Sequence, residues 1–491
     1  MSRELVDGPT GVPGLDPVLG GGMPRRGLVC IVGGSGTGKT VLAQQMAFAA
    51  ARAGQTALYF SGLSEPHERL IEHLRAFEFF DEGLLARNVQ LLSLGPALEQ
   101  DEDEAVDMVI QTTRRTSATQ VTVDGFGTMR RLLQNERETI RFLYRLSTQL
   151  GLLGAALVVT AEGDPRELSL YPELAVSDVL VGLYHERTRV SHRRYLEVLK
   201  RRGAAPLPGL HSLTIGAAGI TCYPQLETDL PSVDVSFDPV ARAAFDVPEL
   251  DAMLNGGLTQ QTATIVAGNQ GAGKTLLGLQ FLAAGAARGE PGLFLGLRET
   301  PAQLLAKAAM HGINLANAVE QGKIRLVVQP PVALDADILA WQLRDAIAAI
   351  GVRRLVIDSL AEMEATVEAT RARDYLAAIA TLLRAGGVTA LLTRETFGMF
   401  GENLTFVDEP SSVLAENVIS LRQVQARGKL HRVLAIVRMR FSDHDCTIRE
   451  FTVTERGLTM LGRWSSEASM LEDLAAEPAR PSPGRLGEPS S

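Results

Sequence analysis

At 491 residues, with 45% hydrophobic and 21% charged side chains, the chain has room for two or three domains with proper cores and the balance of an ordinary globular protein. A net charge of −9 argues against coating nucleic acid or an anionic membrane by bulk attraction. Cys30, Cys222 and Cys446 lie far apart without CxxC spacing, the start carries no apolar leader, and no run reaches the ~18 apolar residues of a membrane span, so a reducing, cytoplasmic setting is expected.

In chain order, Val12-Pro13-x-Leu15-Asp16-x-x-Leu19-x-Gly21-Gly22 leads into an apolar run, 27–33, which reads as a buried strand. Its end opens Gly33-Gly34-Ser35-Gly36-Thr37-Gly38-Lys39-Thr40, a match to the phosphate-binding P-loop G-x-x-x-x-G-K-[ST]. The glycines let backbone N–H groups turn onto a polyphosphate, the lysine supplies charge for its outer groups, and the threonine hydroxyl is a ligand for Mg²⁺. The helical pattern 41–53 follows, and its N-terminal end adds a positive potential. Apolar runs at 56–60, 89–94, 120–124 and 155–160 then alternate with helical patterns such as 66–77 and 136–150. The acidic run Glu99–Glu104 reads as a solvated loop and helix start. Asp124 ends its strand before Gly125, the position of the NTPase aspartate that holds Mg²⁺ through its water shell. Runs 179–186 and 194–201 close the unit as an antiparallel pair.

The pattern then starts again. Val247-Pro248-x-Leu250-Asp251-x-x-Leu254-x-Gly256-Gly257 and Gly268-Asn269-Gln270-Gly271-Ala272-Gly273-Lys274-Thr275 repeat the opening motif and the P-loop at an offset of 235. Strand-like runs recur at 262–267, 292–297, 324–329, 354–358 and 388–393, with Asp358 before Ser359 as the second strand-end aspartate. A closing pair at 418–425 and 432–439 turns through Arg427-Gly428-Lys429. The expected organisation is one α/β domain over 1–235, a second over 236–464, and a disordered Ser-, Ala-, Pro- and Glu-rich tail over 465–491. Residues 225–243, with Pro231 and Pro239, read as the connection. Each domain is expected to be a mostly parallel, doubly wound sheet with ligands at the carboxyl ends of its strands and an antiparallel hairpin at its end.

These features resemble the KaiC family, the RecA-like double-domain P-loop NTPases of the cyanobacterial circadian clock, and their wider bacterial homologues. The resemblance spans residues ~8 to ~463. It rests on both opening motifs, both P-loops, 196–203 followed by 212–215 and 219–221, and Ile448-Arg449-Glu450-Phe451. It implies ATP and Mg²⁺ at both loops, and a homohexamer with nucleotide at the subunit interfaces. It further implies ATP hydrolysis in one ring and serine/threonine autokinase activity in the second, with protein signalling partners, no membrane and no nucleic acid.

Residue by residue, Lys200-Arg201-Arg202 and Arg438-Met439-Arg440 match the family's Lys-x-Arg that reaches the neighbour's phosphates, so Lys200, Arg202, Arg438 and Arg440 are expected to act in trans. The family's Glu-Glu-x-Pro, which supplies the catalytic base, is broken here. The first copy reads Leu63-Ser64-Glu65-Pro66, with Glu65 one position late, and the second reads Arg298-Glu299-Thr300-Pro301. Arg298 either pairs with Glu299 and weakens it as a base or contacts phosphate. Glu162 and Glu395, at the fifth strands' ends, are other carboxylates able to polarise water. The phosphoacceptor positions fall on Ser412 and Val413, with Ser411 alongside. Slow turnover is expected, with more of it in the second copy. A nucleotide-gated scaffold is the rival reading. A DNA-acting RecA or helicase-like motor is disfavoured by the acidic balance and 5% aromatic content.

Overall fold

The sequence Gly-Leu-Val-Cys-Ile-Val-Gly at 27–33 is apolar on both faces and forms β1 (Gly27–Gly33), buried along nearly its whole length. Leu28, Cys30 and Val32 pack to one side with Phe142 and Leu146 of helix Glu136–Leu153. Val29 and Ile31 pack to the other with Leu42 and Met46 of helix α1 (Lys39–Arg52). A strand whose alternate side chains both meet helices is the interior of a three-layer α/β unit. The computed structural model describes residues 7–62, 67–130, 133, 136–170, 172–187, 192–233, 236–329, 335–396, 410–426 and 428–464. Glu65 with its neighbours Leu63, Ser64 and Pro66, the turn residue Arg427 and the tail 465–491 lie outside them.

In the first copy, β2 (Ala57–Ser61), β3 (Val89–Ser93), β4 (Gln120–Asp124), β5 (Ala156–Glu162) and β6 (Val179–Arg187) join β1 in the order 3-2-4-5-1-6, all parallel. The sheet continues antiparallel through β7 (His192–Arg201), β8 (His211–Gly216) and β9 (Gly219–Tyr223). The closing hairpin expected from sequence is therefore extended by two more strands, built from the 212–215 and 219–221 motifs. The acidic run leads into helix Glu102–Thr116, whose first turn holds Glu102, Asp103 and Glu104 at the positive end of the helix dipole.

The second copy opens on a two-residue pair, β10 (Arg242–Ala243) with β11 (Leu258–Thr259); a single bridge, Gly8 to Met23, stands at the matching place in the first. Its sheet comprises β12 (Ala263–Gly268), β13 (Gly292–Gly296), β14 (Ile324–Val328), β15 (Arg354–Asp358), β16 (Thr389–Glu395), β17 (Asn417–Ala426), β18 (Lys429–Arg438), β19 (Arg449–Thr454) and β20 (Gly457–Arg463). The order, 14-13-15-16-12-17-18-19-20, repeats that of the first. Helix α2 (Lys274–Ala287) is the counterpart of α1. The described residues divide into two compact units, one running to Leu230 with Asp335–Gln342 added, the other holding the rest. Among the described residues no helix is long and apolar enough to cross a membrane.

Candidate functional site

Each P-loop sits at the carboxyl end of the sheet's central strand, where doubly wound sheets bind ligands. Gly38 and Gly273 carry φ of 106° and 103°, a left-handed conformation that glycine adopts at no steric cost, and each delivers the chain into its helix. Neither helix has a side-chain cap at its start, which leaves first-turn N–H groups for an anion. Lys39 Nζ donates to Gly33 O at 2.9 Å and Gly34 O at 2.8 Å; Lys274 Nζ donates to Gly268 O at 2.8 Å and Asn269 O at 2.9 Å. Both ammonium groups thus wait on loop carbonyls beside the phosphate position. Burial lowers both lysine pKa values from 10.5, while Glu162 and Asp124 oppose the shift at Lys39, and Glu395 and Asp358 at Lys274.

The threonine after each lysine meets the predicted aspartate. Thr40 Oγ1 donates to Asp124 at 3.1 Å, and Thr275 Oγ1 to Asp358 at 2.7 Å. Two contacts on these aspartates escaped the sequence reading. Thr160 and Thr393, on the neighbouring strands β5 and β16, donate to Asp124 Oδ1 and Asp358 Oδ1. Tyr59 Oη donates to Asp124 Oδ2 at 2.8 Å, a bond its second-copy counterpart, Phe294, has no hydroxyl to make. The recurring Thr-x-Glu at 160–162 and 393–395 was the available signal for the threonines. The hydroxyl and carboxylate pairs fit Mg²⁺ in this family of sites, where the protein supplies few ligands and phosphates and water complete the shell.

The acids differ between copies. Glu162 lies opposite Gly33, and Glu395 opposite Gly268, in parallel register, so each carboxylate flanks its own P-loop. Among the described residues the Glu162 side chain makes no hydrogen bond or ion pair and is exposed. In the second copy every nearby acid is engaged. Arg298 pairs with Glu362 and, at 3.6 Å, with Glu395, while Lys307 holds Glu299 at 2.5 Å. Of the two roles open to Arg298, pairing with Glu299 is not the one adopted; its partners are Glu362 and Glu395. The cleft of the first copy measures about 510 Å³ and includes Lys39, Thr40, Asp124 and Glu162. That of the second measures about 570 Å³ and includes Lys274, Thr275, Arg298, Glu299, Asp358 and Glu395.

The hairpin cations lie away from the loop of their own domain. Lys200 pairs in register with Leu180 on β6, whereas Gly33 pairs with Leu183, about 10 Å further along the strand. Arg438 and Gly268 stand in the same relation on β17, at Val418 and Leu421. Lys200 Nζ donates to Ala175 O at 2.6 Å, Arg202 meets Asp178 at 3.4 Å, and the Arg440 guanidinium rests on Phe441. A different basic pair, missed in the sequence, touches the loops from within: Arg194 donates to Gly36 O at 3.3 Å and Arg432 to Gly271 O at 3.5 Å. Of the two serines, Ser411 is buried and its Oγ accepts from Arg394 at 2.5 Å, while Ser412 is half-buried.

A family model for the KaiC ATPase matches residues 8–227 and again 244–464. The chain is 26% identical to the circadian clock protein KaiC3 of Synechocystis sp., over 91% of its own length and 90% of the relative's. It is also 26% identical to the circadian clock oscillator proteins KaiC of Thermostichus vulcanus, over 93% and 89% of the two chains, and of Synechococcus elongatus, over 91% and 88%.

Proposed function

The chain belongs to the KaiC family of ATPases, with the family's domain present twice, and from that premise we propose that it is a cytoplasmic, homohexameric signalling or timing ATPase that binds Mg·ATP at both P-loops and turns it over slowly. The observation that carries this reading is the doubled cradle: an uncapped helix start, a lysine on the loop carbonyls and a threonine bonded to a strand-end aspartate, repeated in both domains.

When bound, Mg²⁺ would neutralise charge on the outer phosphates. The chain's own residues do the rest. Lys39 and Lys274 exchange loop carbonyls for phosphate oxygens, Asp124 and Asp358 hold their threonines in line, and Glu162 accepts a proton from water beside Gly33. Because Lys200, Arg202, Arg438 and Arg440 lie at the far end of their sheets, the phosphates they serve belong to a neighbouring subunit, which ties hydrolysis to assembly. Autokinase activity, if the second ring keeps it, uses Ser412, since the Ser411 hydroxyl is buried and held by Arg394. Partners that read the nucleotide state are other proteins; the relatives are named as clock proteins.

A second reading, a scaffold gated by nucleotide with little turnover, is favoured by the cations that engage Glu299 and Glu395. One experiment separates the readings: incubate the protein with Mg·ATP, follow phosphate release, and examine the product by intact-mass and peptide mass spectrometry. Steady release supports the ATPase, a phosphate on Ser412 supports the autokinase, and stoichiometric binding without either supports the scaffold.

A further inference from the structure

At the end of the first sheet opposite the P-loop lies a separate pocket of about 190 Å³. Its walls are Pro9 and Met23, Ala49, Ala50 and Ala53 of the last turn of α1 and its exit, and Ala156 at the start of β5. Its polar lining is Gln55, Thr119, Gln120 and Arg25. Gln120 opens β4, is 3% exposed, and its Nε2 has no hydrogen-bond partner. Two residues further along the same face, Thr122 Oγ1 is also without a partner. A buried polar group left unpaired is costly, and native proteins rarely keep one without a ligand, water or ion to satisfy it.

The second copy shows what the same place looks like when filled. Counted from the strand-end aspartates, Gln120 corresponds to Arg354; by the repeat offset, Pro9, Ala50 and Gln55 correspond to Ala244, Gly285 and Glu290. There the Arg354 side chain is 1% exposed, and its Nε donates to Glu290 at 2.5 Å. Its Nη1 donates to Ala244 O at 2.6 Å and Phe281 O at 2.8 Å. The arrangement needs Gly285, since a Cβ there would stand 2.4 Å from Arg354 Cδ. The first copy has withdrawn all three parts at once: the guanidinium is a shorter amide, the carboxylate is neutral, and the glycine carries a methyl. Four of the residues lining the pocket are thus the counterparts of one internally bonded cluster, which fills the space with a guanidinium held through its Nε and Nη1 and leaves only Nη2 without a partner.

We propose that this pocket is a binding site for a small molecule that joins one flat ring to a carboxylate. The volume is somewhat above the ~150 Å³ known to admit a benzene-sized guest. The walls are apolar on the α1 side. The polar groups are donors: Gln120 Nε2 is unpaired, Gln55 has its Oε1 taken by Thr119 at 3.0 Å and so offers its NH₂, and Arg25 stands exposed at the rim. Three donors and no carboxylate select an anionic acceptor, not a cation. The site lies at the far ends of the two elements that carry Lys39 and Asp124, about 20 Å along α1 from the phosphate cradle.

The probe is benzoate, followed by saturation-transfer NMR and by titration of the full chain, with benzamidine as the cation of equal shape. Benzoate should bind saturably, benzamidine at least about tenfold more weakly, and excess pyrophosphate, which occupies P-loops, should not displace benzoate. The graft Gln120→Arg, Ala50→Gly, Gln55→Glu, which recreates the second copy's cluster, should abolish binding. Gln120→Leu, a milder change, should weaken it about tenfold or more. Absence of saturable binding, equal binding of benzamidine, displacement by pyrophosphate, or unchanged affinity in either variant would each overturn the assignment.

Discussion

Removing the charge of Glu162 while keeping its size, with Glu162→Gln, is the sharpest probe of the proposed chemistry. The residue faces Gly33 across a strand spacing of about 4.8 Å, and the Gly33 carbonyl holds the Lys39 ammonium at 2.9 Å. No described cation forms an ion pair with it, the Lys39 ammonium acting only through space, so its carboxylate is available to water next to the phosphate position. General-base catalysis contributes roughly 10²–10⁴-fold, or about 3–5 kcal/mol of barrier at ~1.4 kcal/mol per decade. In a Lys274→Ala background, where only the first site hydrolyses, phosphate release at saturating Mg·ATP should fall by about that factor while nucleotide stays bound. Glu395→Gln in a Lys39→Ala background should cost much less, since Arg298 already engages that carboxylate at 3.6 Å. Assembly of each variant is checked by light scattering. If Glu162→Gln keeps activity within about threefold of its parent, Glu162 is not the base, and Glu65 is the next carboxylate to replace.

Lys39→Ala and Lys274→Ala should each remove one bound nucleotide per chain, and a double variant that still binds ATP stoichiometrically would refute both site assignments. Light scattering should find a hexamer with ATP and smaller species without it, because a ligand at an interface stabilises the assembly that binds it; a monomer in both conditions removes the trans role of Lys200, Arg202, Arg438 and Arg440. Burial lowers the Lys39 and Lys274 pKa values, so their charge is lost below the ordinary 10.5 and ATP affinity should fall as pH rises toward that value, a trend that Lys→Arg variants should flatten. Arg354→Met leaves the half-buried Glu290 without its partner and should cost about 1–3 kcal/mol in denaturant unfolding of the second domain.

What the sequence made legible was whatever repeats. Both P-loops, both strand-end aspartates and the strand alternation were visible because a fixed offset carries each twice, and the structure brings Thr40 to Asp124 and Thr275 to Asp358 as that pattern implies. The two extra antiparallel strands were hidden because β8 and β9 are short and mixed in polarity, so alternation was too brief to read. Tyr59 was hidden for another reason. A buried aromatic in a strand reads as core, and only the fold shows its hydroxyl on Asp124. The Arg298 partners were equally out of reach, since Glu362 and Glu395 meet it from other elements. Pairing across a sheet is set by tertiary packing, which adjacency in sequence does not report.

Those cross-element pairs bear on how the two copies divide their work, and they weigh against the expectation that the second is the more active. Among the described residues, the second cleft is lined by four cationic side chains, Lys274, Arg298, Lys307 and Arg432, against three carboxylates, Glu299, Asp358 and Glu395. The first has Lys39, and Arg194 on its loop carbonyl in the place of Arg432, against two carboxylates, Asp124 and Glu162. The second therefore carries one more unit of positive charge toward a polyanion. A unit charge at about 4 Å is worth about 1 kcal/mol in water and about 4 kcal/mol at an effective dielectric of 20. The lower value alone corresponds to about a fivefold change in affinity. The second copy should hold ATP at least about fivefold more tightly, and the first, whose Glu162 carboxylate makes no ion pair, should supply most of the turnover. Titrating a fluorescent ATP analogue into Lys39→Ala and Lys274→Ala separates the two affinities. The gap should narrow as salt screens the exposed charges. Equal affinities, or a tighter first site, would show that these cations stay on their carboxylates when nucleotide binds and add nothing to its retention.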